Sequence, residues 1–158
     1  MPVLTTYFTP VEDTLALMKL YSERCAISGK VSRMNEMPFF RFIYLSEDEK
    51  EANEYPEKAI TWVRDLSAYR RTLTRGDEIN MDLEHWKTTR TDEPRTYESE
   101  LTNNYFCTPN QCVERIGNLQ KDHGISYFGA NFAFGSMSHA KVMASMKLFA
   151  EEVMPKFK

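Results

Sequence analysis

The chain of 158 residues contains no apolar run near the roughly 20 residues that a membrane-spanning helix needs, so a membrane partner is not expected. Its start, MPVLTTYF, has neither a basic region nor a long apolar core, so a signal peptide is not expected there. Basic charge is not in excess: the net charge is −3, and no Lys/Arg stripe with interleaved aromatics compensates, so nucleic acid is not an expected partner either. Cysteine is scarce. Cys25, Cys107 and Cys112 are an odd number without metal-site spacing, and a lone C-x4-C pair is weak support for zinc. Free, buried thiols fit a reducing cytoplasm. No Gly-x-Gly-x-x-Gly follows any predicted strand, which removes a Rossmann dinucleotide site. No two of His85, His123 and His139 have ligand spacing, so a metal is not expected.

What is there is the length and composition of one soluble domain built from strand–cap–helix units. Pro2–Phe8 is β-branched or aromatic and reads as a strand. Thr9 to Glu12 form a capping box that starts a helix through Leu15 and Met18, closed at Gly29. Residues 30–37 read as a loop. Pro38–Leu45 reads as a strand apolar on both faces, with Phe40, Phe42 and Tyr44 on one side and Phe39, Ile43 and Leu45 on the other. Arg41 interrupts it and must find a partner or an edge. Ser46 with Glu49 predicts a further capping box, and Ala52, Tyr55, Ala59, Trp62, Val63, Leu66 and Tyr69 a helical stripe, kinked or broken near Pro56. Charged, weakly periodic residues 74–104 read as a long mobile loop, with a helical turn possible at Met81–Trp86.

The last third is the most structured. Thr108, Pro109 and Gln111 predict a capping box, Cys112, Val113, Ile116 and Leu119 a helix face, and Gly124 a left-handed stop. Ile125 to Phe134 reads as a buried strand. Gly135 and Ser136 then turn the chain into a helix with Val142, Met143, Met146, Phe149, Ala150, Val153 and Met154 along one side; the methionines Met143, Met146 and Met154 read as core. Alternating strands and helices predict a parallel sheet with right-handed crossovers.

The runs TPNQCVERI and YFGANFAFGSMSHAKVMASMKLFAEEVMPKF resemble the C-terminal end of the bacterial luciferase-like, flavin-dependent monooxygenases. In that family a helix of type T-P-E-x-C/V-x-E-R-I precedes a strand ending in N-F-x-x-G-G-M, and Ser136 stands here where the second glycine is usual. The resemblance implies a (β/α)8 barrel using reduced FMN, or a deazaflavin, and molecular oxygen to oxidise a small organic substrate. On that reading Pro2–Phe8, Pro38–Leu45 and the Ile125 strand are the sixth to eighth staves, residues 1–158 one partial-barrel domain, and residues 74–104 the loop that closes over the active site.

A complete barrel of this type takes about 250 residues and eight strands. Met1 precedes the first predicted strand directly. The expectation is therefore the C-terminal part of a longer enzyme, completed by a missing N-terminal half or by homo-oligomerisation, and inactive alone.

Barrel active sites lie at the C-terminal ends of the strands. The resemblance places Asn131, Phe134 and Ser136 against the cofactor, and Tyr7, Phe8, Tyr44, Phe132 and His139 around the substrate cavity. It names no catalytic residue. The plainer alternatives stand beside it: Asn131 reads equally as a strand-end polar group satisfying local backbone, and His139 reads first as a surface or capping residue. The acidic run Glu47 to Glu51 reads as a helix start favoured by the dipole rather than as catalytic carboxylates. The competing reading of the whole chain is a non-catalytic barrel fragment or self-associating module; a flavin-dependent reductase or dehydrogenase is the nearby enzymatic variant.

Overall fold

The computed structural model describes residues 6–74 and 96–157. Helix α1 spans Val11–Ile27, strand β1 Phe39–Leu45, α2 Glu49–Glu54, α3 Glu57–Thr74, α4 Tyr97–Asn103, β2 Tyr105–Cys107, α5 Pro109–His123, β3 Phe128–Asn131 and α6 His139–Leu148. A 3-10 turn precedes β1 at Met34–Glu36, within the predicted loop. A π-helical turn, Phe149–Val153, and a 3-10 turn, Met154–Phe157, continue α6.

The three strands form one parallel sheet in the order β2-β1-β3. It is not a closed barrel. Three consecutive staves of a barrel would lie in chain order, whereas here β1 is central. Its upper half pairs with β2 (Ile43 with Tyr105, Leu45 with Cys107) and its lower half with β3 (Phe39 with Phe128, Phe42 with Asn131).

The predicted two-sided burial of β1 is what the sheet shows. Phe39, Ile43 and Leu45 join a core with Met18 of α1, Cys112, Ile116 and Leu119 of α5, and Val153 of the C-terminal turn. Phe42 and Tyr44 join a second core with Ala59 and Ile60 of α3, Phe106 of β2 and Phe134. Helices thus cover both faces, as a parallel sheet requires. The crossover from β1 to β2 passes over the second face. The one from β2 to β3 passes back over the first. Reversing both direction and face preserves the hand, so the two crossovers share one handedness, as right-twisted strands favour.

Arg41, wholly buried on the central strand, finds its partners in backbone and hydroxyl oxygens. Its guanidinium donates to Phe40 O at 2.7 Å, Thr6 O at 3.4 Å and Thr14 Oγ1 at 3.0 Å, and stacks 4.0 Å from the centre of the Phe39 ring. Those bonds tie the N-terminal segment and α1 to the sheet.

Several sequence expectations need correction. Within the described part of the first predicted strand, Thr6 to Phe8 is a turn: Thr6 Oγ1 accepts from Phe8 N–H and Thr6 O from Thr9 N–H, local bonds that compete with a ladder. The Thr9 capping box does not form. Pro10 is the cap residue, and the Val11 N–H is satisfied from a distance by Asn103 Oδ1 at 2.8 Å. The cap of α2 is Asp48, which accepts from Lys50 N–H and Glu51 N–H, not Ser46.

The predicted loop 74–104 contains α4, capped by Thr96, and is followed directly by the unpredicted strand β2; residues 75–95, with Met81–Trp86 and His85, lie outside the described residues. The buried strand shrinks to Phe128–Asn131. Met143, Met146 and Met154 are 43–52 % exposed, so the methionine stripe is surface, and Trp62 and Leu66 likewise face outward from α3. Here Val142 and Ser145 of α6 face the sheet instead.

Other expectations hold. Thr108 and Gln111 make both bonds of the capping box, Pro109 opens α5, and Gly124 closes it at φ +65°. The helix after β1 breaks at Tyr55–Pro56.

Candidate functional site

From the end of β1 the chain turns onto one face of the sheet, into α2. From the end of β3 it turns onto the other, into α6. Such a divergence between neighbouring parallel strands opens a crevice at their carboxyl ends, the usual ligand position in open α/β sheets. A cavity of about 600 Å³ lies there. Its walls come from Asp48 through Ala59 on the β1 side and from Ser136 and Met137 on the β3 side.

The floor of the crevice is a bonded network around Glu51. The Tyr44 hydroxyl donates to Glu51 Oε1 at 2.6 Å, the Ser46 hydroxyl to Oε2 at 3.4 Å, and Lys141 of α6 forms an ion pair with Oε1. Lys141 and the hydroxyls of Tyr44 and Ser46 hold the Glu51 carboxyl below the usual carboxylate range, the lysine bond being the largest cause. Burial, then the bond to that anion, pushes the Tyr44 phenol well above its ordinary value, so its proton stays in place. Tyr55 closes one side: its hydroxyl bonds Ser138 Oγ at 3.3 Å and accepts from Ser138 N–H at 3.1 Å, fastening the start of α6 to the end of α2.

Because the folded carboxyl of Glu51 titrates below its unfolded value of about 4.3, its contribution to stability is complete above that pH and is lost as pH falls through the folded value. Glu51→Gln should therefore lower Tm near neutrality and converge with the native chain in acid. Melting curves from about pH 3 to pH 7 check this; two parallel pH profiles would sink it.

The sequence-derived site residues divide. Tyr7, Phe8, Tyr44 and Phe134 gather in the second core. The Phe42 ring centre lies 4.6 Å from Tyr7, 5.8 Å from Phe8 and 4.8 Å from Phe134, which stacks on Phe106 at 5.6 Å. Asn131, half-buried, ends β3 opposite Phe42. Ser136 lines the cavity. Phe132 lies on the other side of the sheet, edge-on to Phe149 at 5.4 Å, and so does not join them. His139 is exposed as the first residue of α6, with Ser138 as the cap.

Sequence reasoning missed Glu51 as the hub, and Lys141 and Ser138 as its neighbours' anchors. The signal within reach was local: Tyr44 is next to last in β1 and Glu51 follows seven residues later, in the first turn of α2. Lys141 lies 90 residues away and had none.

An FMN site needs a wide flat slot and a positive or N–H-rich anchor for a phosphate. The cavity presents the carboxylates of Asp48, Glu51, Glu54 and Glu57 against the ammonium groups of Lys50 and Lys58. At the start of α6 the Ser138 N–H is taken by Tyr55 and the Lys141 N–H by Ser138 Oγ. The rings of Phe42, Phe106 and Phe134 are buried against one another. The described residues therefore do not by themselves fit FMN. Among them no group of three His, Cys, Asp or Glu could hold a metal ion, and no helix is long and apolar enough to cross a membrane.

No family model matches the chain, and no curated protein matches it. A solved structure does: the monooxygenase RslO1 from Streptomyces bottropensis, with a TM-score of 0.66 and 18 % identity over 99 % of this chain. The chain is a distant fold relative of a bacterial monooxygenase. It spans 42 % of the length of RslO1, and at this identity the likeness is one of fold.

Proposed function

We propose that this chain is the C-terminal portion of a luciferase-like, FMN-dependent monooxygenase, which when complete oxidises a small organic substrate with reduced flavin and O2. The observation that carries the reading is the fold likeness to RslO1 over nearly the whole chain but less than half of that enzyme. The luciferase-like sequence runs around β3 and α6 point the same way. In the complete protein Asn131, Phe134 and Ser136 would border the cofactor, and the phosphate anchor would come from elsewhere in the polypeptide. This chain supplies one wall of the pocket and its acidic rim. With Glu51 paired to Lys141, three carboxylates stand against Lys50 and Lys58, which disfavours an anionic substrate and favours a neutral or cationic one.

Alone, the chain is a non-catalytic fragment or self-associating module. Desalting after incubation with FMN should leave the isolated chain colourless, with no saturable quenching of flavin fluorescence. A longer product that includes the preceding coding sequence should retain FMN and consume O2 once the flavin is reduced. Saturable binding by the chain alone would refute the shared site, and a flavin-free longer product would refute the monooxygenase reading.

A further inference from the structure

Two of the three thiols are brought together by the cap of α5. Cys107 immediately precedes the cap residue Thr108, and Cys112 is the fourth residue of the helix. These are the two positions whose side chains meet across a helix start in a hydrophobic staple. The reciprocal Thr108–Gln111 capping box fixes that geometry, and both cysteines belong to the same buried core. Those positions set the two side chains against one another at the start of α5.

The pair is not symmetric. Cys107 lines a surface cavity of about 290 Å³ together with Arg115, Gln111, Asn118 and Asn53, whereas Cys112 is wholly buried behind it. Arg115 follows Cys112 by three residues on the same helix. Its guanidinium is held in place by Thr102 O at 2.8 Å and lies 4.4 Å from the centre of the Tyr105 ring.

We propose that Cys107 and Cys112 are a peroxide-oxidisable pair, with Cys107 the attacking thiolate and Cys112 the thiol that closes the disulfide. The Cys107 thiolate attacks one oxygen of a hydroperoxide. The S–O bond forms, the O–O bond breaks, and the departing oxygen takes a proton to leave as an alcohol or water. Cys112 sulfur then displaces the hydroxide of the Cys107 sulfenic acid. Its own proton joins that hydroxide as water while the S–S bond forms. The two thiols supply both electrons that the peroxide accepts.

The electrostatics agree with the assignment. The hydrogen bond from Cys112, aided by the nearby Arg115 charge, holds the Cys107 thiol below the ordinary cysteine value. Cys112 is pushed up by donating that bond and by burial. None of this chemistry depends on flavin binding.

The test uses the whole reduced chain exposed to hydrogen peroxide, quenched by alkylation and mapped by mass spectrometry. Residues 96–115 should lose two hydrogens with both cysteines unalkylated, about tenfold faster than in the same chain unfolded in urea. Cys25, on α1 and outside the pair, is the internal control. Cys112→Ser should leave a sulfenic acid at Cys107 that dimedone traps, and Arg115→Met should slow Cys107 oxidation about tenfold. Oxidation confined to Cys25, or an unchanged rate on unfolding, would overturn the proposal; both are read on the native sequence and do not require a variant to fold.

Discussion

Gly135→Ala should destabilise the chain by about 3 kcal/mol, lowering Tm by roughly 9 °C. Gly135 has φ +56°, a conformation that costs an L-residue about 1–2 kcal/mol. The added Cβ would also lie 2.7 Å from Ala59 Cα and 2.8 Å from its carbonyl carbon, and nearer still to the carbonyl oxygen. Those are backbone atoms of a buried helical turn, so they cannot swing aside as a side-chain tip would. Relief requires the loop after β3 to lift from α3, which widens the crevice beside Ser136 and Met137. Thermal unfolding followed by circular dichroism checks the result. A Tm within about 2 °C of the native chain would mean that this loop does not rest on Ala59.

Arg64→Met should be comparably damaging, at about 3 kcal/mol. Glu100 of α4 is 3 % exposed, and its carboxylate is held by Arg64 Nε at 2.8 Å, Arg64 NH2 at 2.9 Å and Asn104 Nδ2 at 2.7 Å. Removing the guanidinium leaves a carboxylate in the interior with one neutral donor. Removing both charges in Arg64→Met/Glu100→Leu should restore most of the loss, because the desolvation of the pair disappears with it. Urea denaturation of the two single variants and the double variant closes the cycle. Additive losses would show that the pair is not coupled and that other contacts, such as that of Asn103 with the Val11 N–H, hold α4.

What could be read from the chain followed the range of the interaction. The burial of β1 on both faces was visible because alternate residues on either side are apolar. Both ends of α5 were visible because Thr108, Gln111 and Gly124 act on backbone within one turn. The break at Pro56 is local too. Longer-range features were not visible. Thr9 looked like a cap, but Asn103 satisfies the helix start instead, 92 residues away. β2 is three residues long, too short to display a period, and became a strand because Ile43 to Leu45 offered it an edge. The methionines of α6 have the apolarity of core residues, yet Val142 and Ser145 are the ones turned inward. In the candidate site, the resemblance named Phe134 beside the cofactor and Tyr7, Phe8 and Tyr44 around the substrate cavity; their packing together in the second core was not part of that reading. The carboxylate hub at Glu51 was hidden, since an acidic helix start looks the same whether or not a lysine arrives from a distant helix.

At the upper end of β1, the Leu45 N–H donates to Ser145 Oγ at 2.8 Å. The hydroxyl of α6 thus stands in for a rung that β3 is too short to supply. That amide proton should exchange with solvent slowly only while α6 is seated. Its exchange rate is then a single-site gauge of docking: helix release would be registered at one position of the central strand before the sheet itself loosens.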